Sequence, residues 1–113
     1  MHIVMVSGEY PPRWGGMGSV VYHLAGHMAQ RGHKVTVITR KHKQTPPTQT
    51  GVEVIPVRWA PLPMSFTKSF GKHAIKALNQ LKRRRSIDVV SVHLPLVSWT
   101  RKQFRYIEEN IAP

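Results

Sequence analysis

The sequence predicts an α/β fold in which a parallel sheet is flanked by helices. Apolar runs rich in β-branched residues, typical of buried strands, alternate with segments whose apolar residues recur at helical spacing. The first strand–helix–strand unit covers residues 2–39, and its crossover is expected to be right-handed. A glycine-rich segment follows the first strand at its carboxyl end, which is where ligands bind in open parallel sheets.

The first strand is predicted over 2–6 and the first helix over 17–31. Gly32 follows a basic residue in the last helical turn, which predicts the end of the helix. The apolar residues of this segment have helical spacing and predict one buried face, formed by Met17, Val20, Val21, Leu24, Ala25 and Met28.

Two further strands are predicted on either side of a polar segment. The second strand covers 35–39 and the third covers 51–59. Residues 40–50 are polar, lack periodicity and contain two prolines, so we expect an exposed, mobile loop there. Pro56 cannot donate to a sheet hydrogen bond, which favours an edge position for the third strand. The resulting strand order is 3-2-1-4.

The second predicted helix begins near Ser65, a suitable capping residue, and continues to residue 85. A fourth strand is predicted over 86–95 and a last helix over 96–111. The apolar positions of the second helix again have helical spacing; they are Phe66, Phe70, Ala74, Ala77, Leu78 and Leu81.

The glycine-rich segment predicts an anion site. Amides that open a helix have no intrahelical partner, and the helix dipole adds about half a positive charge there. The cluster formed by Gly15, Gly16 and Gly18 has the spacing G-G-x-G, which differs from the GxGxxG fingerprint of a dinucleotide fold. It is not a P-loop either, because no Gly-Lys-Ser/Thr follows. The loop before it carries Glu9 and Arg13. The competing interpretation is structural, with glycine needed only for the bends of the loop.

Composition restricts the class of protein. There is no cysteine, so disulfides and cysteine-ligated metal sites are excluded. Lys and Arg number 17 against 5 Asp and Glu, a net charge of +12 that favours anionic partners. Neither a membrane-spanning apolar run nor a signal peptide is visible, so the predicted location is the cytoplasm. At this length we expect at most one domain.

The amino-terminal motifs resemble glycosyltransferase family 4, which comprises retaining enzymes of the GT-B fold. The resemblance rests on SGEYPPRWGGMGSVVYHLA at 7–25 and RGHKVTVIT at 31–39, which match the family pattern E-x-P-P-x-x-G-G-x-G and G-H-x-V-x-V-x-T. It resumes at 87–95, where IDVVSVHLP is similar to the family's D-V-V-H-x-H. His93 matches the second histidine of that motif, and Ser91 replaces the first.

The resemblance implies a Rossmann-like sheet that forms part of the amino-terminal half of a GT-B enzyme. Residues 1–113 would be a partial amino-terminal domain, inactive alone, because the nucleotide-sugar domain of the family lies in a carboxy-terminal half. The implied reaction transfers a sugar from a nucleotide diphosphate sugar to a sugar or lipid acceptor, with retention of anomeric configuration. The resemblance implies no metal and no other cofactor.

The resemblance also implies roles for individual residues. The amides of Gly15 and Gly16 would stabilise the leaving diphosphate, and His93 would act near the donor sugar. Glu9 and Arg13, on the same loop, would contribute to recognition, with Arg13 able to add positive charge near the diphosphate. Since the first and fourth strands are predicted neighbours, Gly15–Gly16 and His93 should share one edge of the sheet.

Two rival functions remain open. The basic helix from Lys68 to Arg85 could dock a non-enzymatic module on an anionic membrane or, nonspecifically, on nucleic acid; the alternative is an ordinary solvated helix face. A dinucleotide-binding fold is disfavoured because the second strand ends in Thr39-Arg40 without the expected acidic residue. An unpaired sheet edge would allow a homodimer. His23 and His27 lack a third metal ligand and are expected to be surface or packing residues.

Overall fold

A computed structural model describes residues 1–7, 10–11, 15–41, 46–57 and 66–93, except the side chains at 15–17, 66–69 and 92–93. The described residues form four strands and two helices that alternate as predicted. In chain order these are β1 (His2–Ser7), α1 (Gly15–Gln30), β2 (Lys34–Arg40), β3 (Val52–Val57), α2 (Phe66–Arg84) and β4 (Val89–His93). The last predicted helix, 96–111, lies outside the described residues.

The four strands form one parallel sheet in the order β3-β2-β1-β4. Both the predicted α/β class and the predicted strand order are therefore confirmed. The predicted edge position of the third strand is also confirmed, since β3 borders only β2 within the described sheet. Pro56 lies opposite Thr39 on this strand, where its missing N–H is tolerated. β3 is shorter than predicted at its carboxyl end, where 58–59 fall outside the described residues.

The two helices cover opposite faces of the sheet and enclose two apolar layers. Side chains alternate along a strand, so neighbouring residues of β1 and β2 enter different layers. The α1 side contains Met5, Tyr10, Val21, Ala25, Val35 and Val37. The α2 side contains Val4, Val6, Ile38, Phe70, Ala74, Leu78 and Leu81, which confirms the predicted apolar face of α2 from Phe70 onward.

The predicted apolar face of α1 is partly wrong. Val21 and Ala25 are fully buried, but Val20 and Leu24 remain 57% and 41% exposed. The helix lies over β1, β2 and β3, and residues 49–51 cover the flank that carries Gly26. Val20 and Leu24 lie on the opposite flank, which no described residue covers sufficiently to bury them. Helical spacing alone does not distinguish a wide buried stripe from a narrow one.

The carboxyl end of α1 is closed as predicted at Gly32. The N–H of His33 donates to the carbonyl of Met28 at 3.2 Å, and the N–H of Gly32 donates to that of Ala29 at 3.0 Å. This pair of hydrogen bonds is a Schellman motif, which requires a left-handed residue just after the helix. Gly32 supplies that conformation with φ of 90°. The chain then enters β2 directly.

His2 ties the amino ends of three strands together. Its backbone N–H donates to Asp88 Oδ2 at 2.7 Å, and the N–H of Asp88 returns a bond of 3.0 Å to the His2 carbonyl. The ring Nδ1 donates to the Ser86 carbonyl, which can only accept, and Nε2 pairs with Thr36 Oγ1, each at 2.9 Å. These bonds fix the register of β1 against β2 and β4, and so determine which residues reach the opposite edge.

Candidate functional site

The carboxyl ends of the strands meet at the edge where the sequence predicts a site. In the β1–β4 pair, Ser7 lies directly opposite His93, and each is the last residue of its strand. β2 ends beside them at Arg40 and β3 at Val57. In a parallel sheet these ends must lie together, so the topology alone brings His93 to the edge from which the chain leaves β1 toward α1.

Helix α1 begins at Gly15, two residues earlier than predicted, so Gly15 and Gly16 belong to its first turn. The amides of a first turn have no partner within the helix. No acidic residue lies in the first turn of α1. The positive end of the dipole is therefore not neutralised by a side chain from that turn, and this helix end favours an anion.

Two polar residues at the end of β2 were not identified by sequence analysis as part of this edge. Arg40 is only 7% exposed, although its sequence context predicts the start of an exposed loop. Thr39 is 2% exposed, and its Oγ1 has no hydrogen-bond partner in the described part of the chain. Their position could have identified them from the sequence, since they lie at the end of a buried strand beside β1. The carboxyl end of β2 thus carries a buried hydroxyl and a buried arginine, whose side chains alternate to opposite faces of the sheet.

Tyr10 lies on the connection between β1 and α1 and is 2% exposed. Its ring centroid is 6.0 Å from that of Tyr22, at an interplanar angle of 59°. Burial raises the pKa of the Tyr10 hydroxyl above its usual value, and the nearby Gln49 side chain opposes the shift. No described group makes a hydrogen bond of normal geometry to this hydroxyl. Tyr10 is therefore held in place mainly by the packing of its ring.

Gln49 attaches the β2–β3 connection to α1. Its Nε2 donates to the Tyr22 carbonyl at 2.9 Å, and its Oε1 occupies space that a Cβ at Gly26 would need. Gly51 follows with φ of 82°, placed so that an added Cβ would lie 3.1 Å from Ala29 Cβ. The expectation of an exposed loop over 40–50 is therefore wrong for Arg40 and Gln49, because both are packed in tertiary contacts that the polar composition did not indicate.

Of the predicted site residues, His93 ends β4 opposite Ser7, and Gly15 and Gly16 open the helix that follows β1 along the chain. Glu9 and Arg13 lie outside the described residues. The roles assigned to all five stay predictions.

Other predicted sites have simpler explanations. His23 and His27 are exposed, and the His23 ring packs edge-on against Tyr22 at 5.4 Å. Among the residues that the structure describes, no group of three or more metal-ligating side chains occurs. Neither α1 nor α2 is apolar and long enough to cross a membrane. On α2 the exposed cations are Lys72, Lys76, Lys82, Arg83 and Arg84.

The sheet order, the two helix layers and the glycine-opened helix at the β1–β4 edge define a Rossmann-like α/β domain. The same architecture occurs in the crystal structure of WaaG, a glycosyltransferase involved in lipopolysaccharide biosynthesis. That structure matches with a TM-score of 0.60 at 19% identity, over 97% of this chain and 30% of its own. The likeness confirms the predicted fold, that of the amino-terminal half of a GT-B glycosyltransferase.

The family model for Glycosyltransferase Family 4 matches residues 14–105. Glycogen synthase from Mycobacterium tuberculosis is 35% identical over 99 residues, covering 74% of this chain and 24% of the relative. A phosphatidylinositol N-acetylglucosaminyltransferase subunit from Arabidopsis thaliana is 28% identical over 96 residues, covering 82% of this chain and 22% of the relative. The chain belongs to Glycosyltransferase Family 4. It spans about a quarter of the length of these relatives.

Proposed function

We propose that this chain is the amino-terminal, acceptor-side part of a retaining glycosyltransferase. The enzyme would transfer a sugar from a nucleotide diphosphate sugar to a sugar or lipid acceptor. The observation that carries this proposal is the shared edge: the glycine-opened start of α1 and the end of β4 at His93 flank the end of β1. Family membership supports the reaction class.

Gly15 and Gly16 serve the leaving group in this proposal. Negative charge builds on the diphosphate as the bond to the sugar breaks, and fixed donors stabilise charge most effectively where it develops. The amides of the first turn of α1 are such donors, and no acidic side chain in that turn competes for them. Glycine also allows a phosphate to approach the backbone closely.

His93 acts beside the reacting sugar. Partner residues in a parallel pair belong to the same face, and Ser7 follows Ile3 and Met5 on the face that α1 covers. In the proposed enzyme, His93 hydrogen-bonds the donor sugar at this edge of the sheet. Glu9 and Arg13, between β1 and α1, would contact the acceptor, and Arg13 would also add positive charge near the diphosphate.

The proposal needs no metal and no further cofactor. Positive charge for the diphosphate comes from the start of α1, from Arg13 and from a basic pair in the second half of the enzyme. Because the two halves of a GT-B enzyme close on the donor, residues 1–113 alone should bind it weakly and should not turn it over. The two relatives do not indicate one acceptor class, because one is a glycogen synthase and the other belongs to a phosphatidylinositol N-acetylglucosaminyltransferase.

The test uses the full-length protein that contains this sequence. It is incubated with UDP-glucose, ADP-glucose, UDP-N-acetylglucosamine and GDP-mannose, with glycan and phosphatidylinositol acceptors, and nucleoside diphosphate release is measured. Proton NMR of the product determines the anomeric configuration. Gly16→Val should raise the donor KM at least about tenfold, whereas Gly32→Ala, far from the edge, should not. Turnover without retention, or a wild-type KM for Gly16→Val, contradicts the proposal.

The second candidate function is attachment to an anionic membrane through the outer face of α2, as a peripheral or even non-enzymatic module. The supporting observation is that Lys72, Lys76, Lys82 and Arg83 are exposed on one helix. On this helix Arg84 pairs with Glu53 at 3.3 Å, whereas none of the other four exposed cations that the structure describes on α2 has an acidic partner there. Binding to phosphatidylserine vesicles that is lost in Lys82→Gln/Arg83→Gln, without any sugar-nucleotide turnover by the wild type, would favour this function.

A further inference from the structure

We propose that Gln49 is a positioning residue for the glycine segment. It holds Tyr10 and α1 in a fixed relation, and so fixes the start of α1. The consequence for the donor rests on the function proposed above. The inference itself rests on the side-chain contacts of Gln49, which lies outside the family motif and the predicted site.

The first step is the contact of Gln49 with α1. Its Nε2 donates to the Tyr22 carbonyl, and its Oε1 lies against Gly26 so closely that a Cβ there would overlap it. Glycine is unfavourable within a helix, so its presence at position 26 calls for a reason. The approach of the Gln49 amide supplies one. A side chain from a loop is thereby seated on the backbone of the helix that begins at Gly15.

The second step is the contact between α1 and Tyr10. This residue follows Ser7 by three positions and precedes Gly15 by five. It is buried, and its ring packs against that of Tyr22, whose carbonyl accepts from Gln49. Since the Tyr10 hydroxyl makes no hydrogen bond within the described residues, the ring must be held by its packing. Removing the Gln49 side chain releases the Tyr22 backbone from the β2–β3 turn and so loosens that packing.

The third step is the rigidity of Gln49 itself. Its carbonyl accepts from the N–H of Val52 at 3.2 Å, which closes a turn into β3. Gly51, in the left-handed conformation, packs its backbone against Ala29 on α1. The turn is therefore held both by the sheet and by the helix. A side chain anchored in this way can transmit the position of β3 to α1 and to Tyr10, which packs on it.

The experiment compares Gln49→Ala with Gln30→Ala in the full-length protein. Gln30 is an exposed glutamine at the end of α1 and serves as the matched control. Amide hydrogen exchange is measured at residues 19–22, whose amides make the first hydrogen bonds within α1, and kcat and KM are measured with the sugar nucleotide that supports turnover in the panel above. Gln49→Ala should speed exchange at 19–22 and raise the donor KM about tenfold, with kcat within about threefold, whereas Gln30→Ala should change neither.

Tyr10 supplies the second pair of variants. Tyr10→Phe keeps the ring and should behave as the wild type, whereas Tyr10→Ala should reproduce the effects of Gln49→Ala on exchange and on KM. Wild-type exchange in Gln49→Ala overturns the positioning role. Faster exchange with an unchanged donor KM would contradict the proposed effect of Gln49 on donor binding. If the wild-type enzyme transfers no sugar, the proposed function fails, and the exchange measurement still decides whether Gln49 positions the segment.

Discussion

Ser7 and His93 lie directly opposite one another, and each is the last residue of its strand, β1 or β4. After Ser7 the chain continues toward α1. This pairing follows from the register that His2 and Asp88 set at the other end of the same strands. A shift by one residue would move His93 to the other face of the sheet. The candidate site therefore depends on a network at the far edge.

Replacement of His93 is the direct test of its proposed role. His93→Ala in the full-length enzyme should lower kcat/KM about 100-fold, the scale expected when a group that acts in proton transfer or on the reacting sugar is lost. His27→Ala, at an exposed position on α1, should leave it unchanged. Steady-state kinetics with the donor varied give both values. Equal rates for the two variants would show that His93 does not take part in the reaction.

Gly26 and Gln49 should be energetically coupled. Alanine in place of a helix glycine normally stabilises by about 0.5–1 kcal/mol. In the wild type, however, Gly26→Ala must displace the Gln49 amide and lose its hydrogen bond, which costs about 1 kcal/mol. In the Gln49→Ala background the same change should stabilise. Urea unfolding of the four proteins measures the coupling free energy, and a value near zero would mean that Gln49 does not lie against Gly26 in solution.

The two glycines with positive φ should differ in their sensitivity to alanine. Gly32→Ala introduces strain at φ of 90° and should cost about 1 kcal/mol of unfolding free energy, since nothing lies within 4 Å of the added Cβ. Gly51→Ala adds a tight contact with Ala29 Cβ to a similar strain and should cost more. Denaturant midpoints rank the two variants. The reverse ranking would contradict the packing of the β2–β3 turn on α1.

Tyr10 should make stability depend on pH in the alkaline range. Burial raises the pKa of its hydroxyl above the usual 10.0, so the folded state holds the proton more tightly than the unfolded chain does. This contribution is fully present below pH 10 and is lost as pH rises through the folded-state pKa, with a slope of up to about 1.4 kcal/mol per pH unit. Tyr10→Phe should remove that part of the slope. Lysines titrate in both proteins, so the difference between their unfolding curves isolates Tyr10.

Much of the fold follows from local sequence patterns. Buried parallel strands require continuous apolar runs, and each of the four predicted strands is present. Pro56 identifies the edge strand because it lacks an N–H donor, and Gly32 identifies the end of α1 because a side chain is disfavoured at its φ. Each of these signals acts through the backbone of one residue. The family motif predicted a site at Gly15, Gly16 and His93, and of these His93 ends β4 opposite the last residue of β1.

The errors arose where a residue's environment is supplied by distant parts of the chain. Gln49 looked like part of an exposed polar loop, but its amide lies on the backbone of α1. Val20 and Leu24 have the spacing of a buried stripe, yet they remain exposed because the helix presents its other flank to residues 49–51. Arg40 is buried at the end of a strand although its neighbours in sequence are polar.

By itself, the sequence determined the alternation of strands and helices and the order of the strands in the sheet. These features depend on periodicity and on backbone restrictions, which are properties of short segments. Only the tertiary structure decided which flank of α1 is buried and which loop residue lies on its backbone. Those outcomes depend on the rotation of a helix over the sheet and on side chains far apart in the chain, whose packing energies no local pattern contains.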